Sequence, residues 1–337
     1  MTKFSRRRFL SASLGGGAFA AFATFGWSPS ALIKVVRTGH ALGSAISLTV
    51  LAPDEATANA AINAAFAEID AVEDALSLYR ADSDLCRLNR QGVLRDPDPR
   101  LVEVLRHACQ LSAATNGAFD VTVQPLWDVY DKARRTQQLP DAAAIAAAQA
   151  SVDWRKIEIA DHEVHLRDSR LRLTLNGIAQ GYAADRAGLV LRQHGIEHAL
   201  LDTGELVAHG RQAALPWRVG IQHPRVTDAF VALAELDNRA LATSGDYATT
   251  FSEDMRQNHV LDPATGQSPG ELASVSIAAP TAMEADALST ACFVLGTDKS
   301  LAFLRSRPRC DALFITKDER MVSTPGFPHV SEEVAHA

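Results

Sequence analysis

Apolar positions along the chain recur with two different periods, and the period changes several times. Ile46 to Leu51 alternates apolar and small polar residues, the two-residue repeat of a strand with one buried face. Pro53-Asp54 breaks that run. Ile62, Phe66, Ile69, Val72, Leu76 and Tyr79 then follow at spacings of three and four, which predicts a helix that ends at Tyr79. Leu101, Val104, Leu105, Ala108 and Leu111 predict a second helix, stopped at Asn116-Gly117. An alanine-rich helix is expected after Pro140. Short strand-like runs cluster at 157–159, 164–166 and 171–175, and 177–192 reads as helical. Further strands are expected at 199–201, 217–221, 240–243, 274–279 and 312–315, with a helix over 284–295. No repeat or low-complexity linker interrupts 40–325. Helices and strands mix without strict alternation, so the expectation is one α+β domain over 32–325 rather than a doubly wound sheet. A flexible tail is expected over 326–337.

Composition narrows the function classes. The 337 residues are 47% hydrophobic and 22% charged, which supplies a packed core and excludes a disordered or fibrous chain. Lysine plus arginine number 33 against 40 aspartate plus glutamate, a net charge of -7, so the basic footprint of a nucleic-acid binder is missing. Four cysteines in this length do not make a disulfide scaffold and read most simply as small buried hydrophobes. The N-terminus is different in kind. Ser5-Arg6-Arg7-Arg8-Phe9-Leu10 precedes a weakly apolar stretch to about Phe25, a basic head before a short hydrophobic run. That stretch is too short and too rich in glycine for a stable membrane span. Its pattern resembles a twin-arginine export signal over 1–31, which implies cleavage and a periplasmic mature protein. A basic arm on a cytoplasmic protein is the competing reading.

Candidate chemistry lies in polar clusters, since no G-x-G-x-x-G, G-x-x-x-x-G-K-[ST] or H-E-x-x-H is present. Asp286 and Thr290 stand at i and i+4 on one helix face, where carboxylate and hydroxyl oxygens suit a hard cation. Asp286 as a simple helix cap is the alternative. His259 precedes the turn Asp262-Pro263-Ala264-Thr265-Gly266, and histidine is the usual general base near neutral pH. A bystander histidine is the alternative. Thr243-Ser244-Gly245-Asp246-Tyr247 reads as a small-residue turn open to an anion, or as an ordinary strand end. Asn176-Gly177-Ile178-Ala179-Gln180-Gly181 opens a helix whose N-terminus suits phosphate, or its glycines serve close packing. Tyr79 could stack on an aromatic ligand or belong to the core. Gly117 to Trp127 reads as a turn into an extended segment with no chemistry of its own.

The order of these clusters carries a resemblance. S-x-Y-x-x-x-S-x-L-x-R-L-N from Ser77, G-x-F-D-x-T-V-x-P-L from Gly117, and G-I-A-x-G-Y-A-A-D from Gly177 are followed by three more. These are T-S-G-D-Y from Thr243, H-x-L-D-P-x-T-G from His259 and A-D-x-L-S-T from Ala285. The set resembles the ApbE-type FAD:protein FMN transferases over about 38–316. The resemblance implies a single α+β domain with a ligand cleft. It also implies an activity that splits FAD and attaches FMN to a threonine of a partner protein, releasing AMP. By the same resemblance Asp286, Thr290 and the Gly177 carbonyl match metal ligands for Mg²⁺, and His259 matches the catalytic histidine. Tyr79 matches an aromatic beside the flavin nucleotide, and Ser244, Gly245 and Tyr247 match a segment that holds FAD. Gln180 stands where many relatives have lysine, and Thr203-Gly204-Glu205 where many have Gly-Gly-Asp, so both departures, Gln180 and Glu205, fall in the cofactor-binding region. Slower turnover or stronger metal dependence follows from the missing lysine charge, and Gln180→Lys tests it. The variants L-N-G-I-A-Q-G-Y and L-D-T-G-E resemble the NosX branch, linked to nitrous oxide reductase maturation. The implied partner is a membrane flavoprotein with a periplasmic flavin domain. An FAD pyrophosphatase that releases FMN and AMP, and a non-catalytic periplasmic FAD-binding protein, are the competing functions.

Overall fold

The computed structural model describes residues 4–5, 32–212 and 214–330. The expected export signal lies outside the described residues except at Phe4–Ser5, and 331–337 of the expected tail lie outside them as well. Among the described residues no helix is long and apolar enough to cross a membrane.

Strands β1 (Ile33–Ala41) and β2 (Ser44–Ala52) form a hairpin, closed by Leu42-Gly43 with both residues at positive φ. Asp54 then caps α1 (Glu55–Leu76) by accepting a hydrogen bond from the Thr57 N–H at 2.7 Å. Ile62, Ile69, Val72 and Leu76 are buried along one face, as their spacing predicts. The helix stops before Tyr79, because Ser77 turns extended and its hydroxyl accepts the Tyr79 N–H. Helix α2 (Asp84–Gln91), strand β3 (Val93–Arg95), helix α3 (Pro99–Ala114), helix α4 (Gln124–Arg134) and helix α5 (Ala142–Gln149) follow. Strands β4 (Ile157–Ile159) and β5 (Glu163–Leu166) complete a small sheet ordered β3-β5-β4. Then come α6 (Ala179–Gln193), β6 (His198–Asp202), β7 (Leu206–His209), β8 (Trp217–Gln222), β9 (Ala229–Leu236) and β10 (Ala240–Gly245). The chain ends in β11 (Leu272–Ala279), α7 (Ala282–Leu295), α8 (Thr297–Leu304), β12 (Asp311–Thr316) and β13 (Met321–Ser323).

Eight strands form one antiparallel sheet ordered β13-β12-β11-β10-β7-β6-β2-β1. This is the expected mixed α+β architecture. Helices α1, α6 and α7 share the main apolar core with one face of the sheet. The hairpin β8–β9 packs Trp217, Val219, Ile221 and Leu236 against the other face, on Leu241, Ala278 and Leu313. A third cluster, Leu126, Tyr130, Ala148, Phe251 and Leu261, joins α4 and α5 to the loop after β10.

Three expectations need correction. Residues 117–127 do not stay extended, because α4 starts at Gln124 with Pro125 in its first turn, where proline lacks only an N–H that would be unpaired anyway. Residues 171–175 form no strand, since the Asn89 side chain satisfies both backbone groups of Leu173, at 2.7 and 2.9 Å. The tail is not loose over 326–330. Phe327 is 4% exposed in the hairpin core, and Val330 and Pro328 exchange backbone hydrogen bonds with Leu233 and Glu235.

The helix pair α6 and α7 meets backbone to backbone. A Cβ on Gly181 would overlap the Ala282 carbonyl and lie 2.8 Å from the Asp286 Cβ. One turn on, both Asp185 carboxylate oxygens accept hydrogen bonds from the first turn of α7, from the N–H groups of Ala282 and Met283 at 2.8 Å each. Gly181→Ala is therefore expected to force the helices apart and to destabilise the fold by about 1–3 kcal/mol. Thermal denaturation measures this, and an unchanged midpoint would show that the crossing has slack.

Candidate functional site

A cavity of about 250 Å³ opens where the first turn of α6, the end of β10, helix α7 and the loop carrying His259 converge. Nine residues singled out in the sequence line it: Gly177, Gln180, Glu205, Ser244, Gly245, Tyr247, His259, Asp286 and Thr290. Tyr79 does not line it. It stands 74% exposed at the rim, its hydroxyl accepting a hydrogen bond from the lining residue Asn176 at 3.4 Å. Arg80, tied to Asp70, Glu73 and Asp74 on α1, fixes the segment that carries it.

One end of the cavity is built of oxygen atoms. Asp286 sits in the second turn of α7, 4% exposed, and one carboxylate oxygen accepts the Gly181 N–H at 3.0 Å. It does not cap the helix; the Thr281 hydroxyl does, accepting the Glu284 N–H. Thr290 follows one turn later, with its hydroxyl 3.3 Å from that of Ser244. A Cβ on Gly177 would stand 2.8 Å from the Thr290 hydroxyl, so a side chain at 177 would displace it. Burial pushes the Asp286 carboxyl up to about 7, helped by the charge of Asp185 and opposed by the Gly181 N–H. Glu205 is raised well above the usual carboxylate range, first by burial and then by the Asp286 charge, and its Oε2 is buried without a partner. Among the described residues no lysine or arginine lines the cavity. Two buried carboxyl groups, one of them with an orphaned oxygen, and the Thr290 hydroxyl fit an oxygen-ligated divalent cation. Among the described residues no three His, Cys, Asp or Glu side chains cluster, so hydroxyl and carbonyl oxygens would have to complete the shell. Gln180 reaches across this end, its Nε2 donating to Ser44 Oγ at 3.3 Å and to the Thr203 carbonyl at 3.4 Å.

His259 enters from another direction. Its backbone N–H donates to the Thr249 carbonyl at 3.0 Å, and its Nδ1 lies 3.3 Å from the same oxygen. A carbonyl only accepts, so in the neutral ring Nδ1 carries the proton and Nε2 keeps a free lone pair. Burial lowers the imidazole pKa, against smaller opposing effects of the Thr249 carbonyl and Asp246, so the ring is neutral and basic at pH 7. The turn behind it docks on the α4–α5 pair. Tyr130 donates to the Gly266 carbonyl at 3.0 Å, and Gln149 donates to the Pro263 carbonyl. Gly266 has φ +69 and leaves 2.6 Å between a would-be Cβ and Ile145, so only glycine fits. Bare Gly245 lets the Tyr247 ring fold back over the strand end, and burial pushes the Tyr247 hydroxyl up to about 12, keeping it neutral.

The sequence reading missed the apolar wall. Phe119, Val121, Val123, Trp127, Leu261 and Pro263 line the remainder, so the segment read as lacking chemistry forms one side of the site. Asp120 shapes it, accepting from the Thr122 N–H and hydroxyl at 2.8 and 2.7 Å and from the Trp154 N–H at 3.3 Å. The motif G-x-F-D-x-T-V was the available signal. Asp185 was also missed, although its i+4 spacing from Gly181 placed both on one helix face.

Residues 42–314 match the model of the ApbE family. The chain is 35% identical over 298 residues to an FAD:protein FMN transferase of Treponema pallidum (strain Nichols), covering 81% of each chain. It is 33% identical over 294 residues to one of Klebsiella pneumoniae (strain 342), covering 83% of each. Among solved structures, the apo form of the Pseudomonas stutzeri flavinyl transferase ApbE superposes with a TM-score of 0.75 at 31% identity. That match covers 88% of this chain and 96% of the other.

The carboxyl of Asp286 must give up its proton to bind a cation. With its pKa raised to about 7, cation affinity is expected to be flat above that pH and to weaken below it by up to about tenfold per pH unit. Calorimetric titration with Mg²⁺ on either side of neutrality measures this. An affinity independent of pH would remove Asp286 from the shell.

Proposed function

We propose, from the premise that the chain belongs to the ApbE family and is an FAD:protein FMN transferase, that it moves FMN to a threonine hydroxyl of an acceptor flavoprotein in a cation-dependent step. The observation that carries this reading is that His259, with Nδ1 engaged and Nε2 free, shares one cavity with Asp286 and Thr290.

Asp286 and Thr290 side chains and the Gly177 carbonyl would hold the cation, with Mg²⁺ the best match to an all-oxygen set. When bound it would offset the pyrophosphate charge and orient the phosphates for in-line displacement. His259 Nε2 takes the proton of the threonine hydroxyl as the new oxygen–phosphorus bond forms at the riboflavin-bearing phosphate. The bond to AMP breaks in the same displacement. General-base help of this kind contributes about 10²- to 10⁴-fold. Ser244, Gly245 and Tyr247 form the wall along which FAD lies, and the Gln180 amide donates to a phosphate without neutralising it. Glu205, also in the cofactor-binding set, adds a carboxyl beside the cation. The apolar wall of Phe119, Trp127 and Leu261 suits a planar ring and excludes water. Exposed Tyr79 offers a stacking face at the rim.

The biological setting is part of the same proposal. The twin-arginine-like N-terminus supports a periplasmic enzyme, and recovery of the protein in the cytoplasmic fraction would count against it. The Leu175–Tyr182 and Leu201–Glu205 variants support a NosX-like role, with a periplasmic flavin domain of a membrane flavoprotein as acceptor and electron supply to nitrous oxide reductase as the purpose.

His259→Ala is expected to bind FAD but to lose transfer by about 10²-fold or more. Asp286→Ala is expected to lose cation-dependent activity. Mass spectrometry of the acceptor after incubation with FAD and Mg²⁺ reads both. Transfer near the wild-type rate by either variant removes its assigned role, and free FMN with AMP alone would identify a pyrophosphatase instead.

A further inference from the structure

A charged cluster lies behind the His259 loop and outside the cavity lining. Asp246, the residue after β10, is fully buried. Its backbone N–H donates to the Ala273 carbonyl on β11 at 2.9 Å. Its carboxylate takes a fork-on-fork pair from Arg225, Nη1 to Oδ1 at 2.6 Å and Nη2 to Oδ2 at 2.8 Å. Arg225 belongs to the turn between β8 and β9, on the far face of the sheet, and is itself held by the Pro224 carbonyl. A second cation, Lys317, follows β12 and lies 3.6 Å from Asp246 Oδ2. The same ammonium donates to the Met255 carbonyl at 3.1 Å, and the Lys317 backbone N–H is held by the Glu271 carbonyl.

The consequence is topological. Residues 246–271 leave the sheet after β10 and rejoin it at β11, and within this loop Thr249 supplies the carbonyl that sets the His259 tautomer. Asp246 pins the start of that loop, and Lys317 pins its middle through Met255. Both pins end on one carboxylate, so loosening either frees the other. Burying Asp246 with only one cation would leave its charge poorly compensated, and two cations from separate turns fix its position in two directions.

We propose that the Asp246–Arg225–Lys317 cluster is a positioning device for His259, setting the distance and angle of its imidazole without touching FAD. The inference rests on His259 acting as the base. Arg225 and Lys317 lie outside the lining, but Asp246 joins Gly245 to Tyr247 of the FAD wall, so exchange at the His259 amide is the readout that isolates the positioning role.

Arg225→Gln and Lys317→Met test this, each made singly and together. Each single change is expected to lower kcat for FMN transfer by about 10- to 100-fold, with any rise in KM for FAD smaller than the fall in kcat. The double variant is expected to fall little further than the worse single one, since both act through Asp246. Amide hydrogen exchange at His259, whose N–H is bonded to Thr249, is expected to speed up by about tenfold or more, a change that does not depend on activity. Arg225→Lys, which keeps the charge and loses the fork, is expected to recover part of kcat and remains informative should Arg225→Gln fold poorly. Wild-type kcat and unchanged exchange at His259 in both single variants would overturn the proposal. A parallel His259→Ala control separates the two ideas: if it transfers FMN normally, the base assignment fails; if it is inactive while the cluster variants match wild type, only the positioning role fails.

Discussion

The site depends on one contact, the crossing of α6 over α7 at Gly181. Because no side chain intervenes there, the Gly181 N–H reaches the Asp286 carboxylate at 3.0 Å and the Asp185 carboxylate reaches the first turn of α7. Asp286 and Thr290 thus have their height and rotation set by backbone geometry rather than by flexible side chains. Gly177, one turn before Gly181, is carried by the same crossing so near Thr290 that a Cβ on it would crowd the hydroxyl. The placement of all three groups thus follows from a single close approach. The alanines and glycines around it are the small residues that close packing of two helices requires.

Electrostatics sets the second constraint. The cavity is lined by Asp120, Glu205 and Asp286 and, among the described residues, by no lysine or arginine, the imidazole of His259 being neutral. All three carboxyls are raised by burial; local hydrogen bonds oppose the rise at Asp120, whereas Glu205 keeps a buried oxygen without a partner. A site of this sign repels a pyrophosphate unless positive charge arrives with it. Gln180 can hydrogen-bond but cannot supply that charge. The proposed metal-binding and nucleotide-binding roles therefore pose one electrostatic problem in this chain.

His259 is delivered by a different part of the structure. Its loop rests on the small α4–α5 cluster through Tyr130 and Gln149, and on the sheet through Asp246. The imidazole and the oxygen cluster thus approach from separately packed units, which meet only once the whole domain has folded.

The sequence by itself determined the elements whose buried face is uninterrupted. The apolar stripe of α1, the alanine-rich start of α7 and the strands near Val50, Trp217 and Ile277 each follow from spacing, because one face of each meets a continuous core. It also marked nine lining residues, eight of them within the ordered motifs and Glu205 through the Leu201–Glu205 variant. It did not disclose the edge strand β1, whose outward positions are exposed and blur the alternation, nor α4, where a proline in the first turn looks like a break. Tyr79 followed the helical period although the helix had already ended, since the period records spacing and not the hydrogen bond of Ser77 that turns the chain away. Only the tertiary structure decided that Asp185 caps α7, that Asp120 and Trp127 wall the cavity, and that Arg225 and Lys317 converge on Asp246. Each of these pairings joins residues distant in the chain, and periodicity reports which face is buried but not which partner it is buried against.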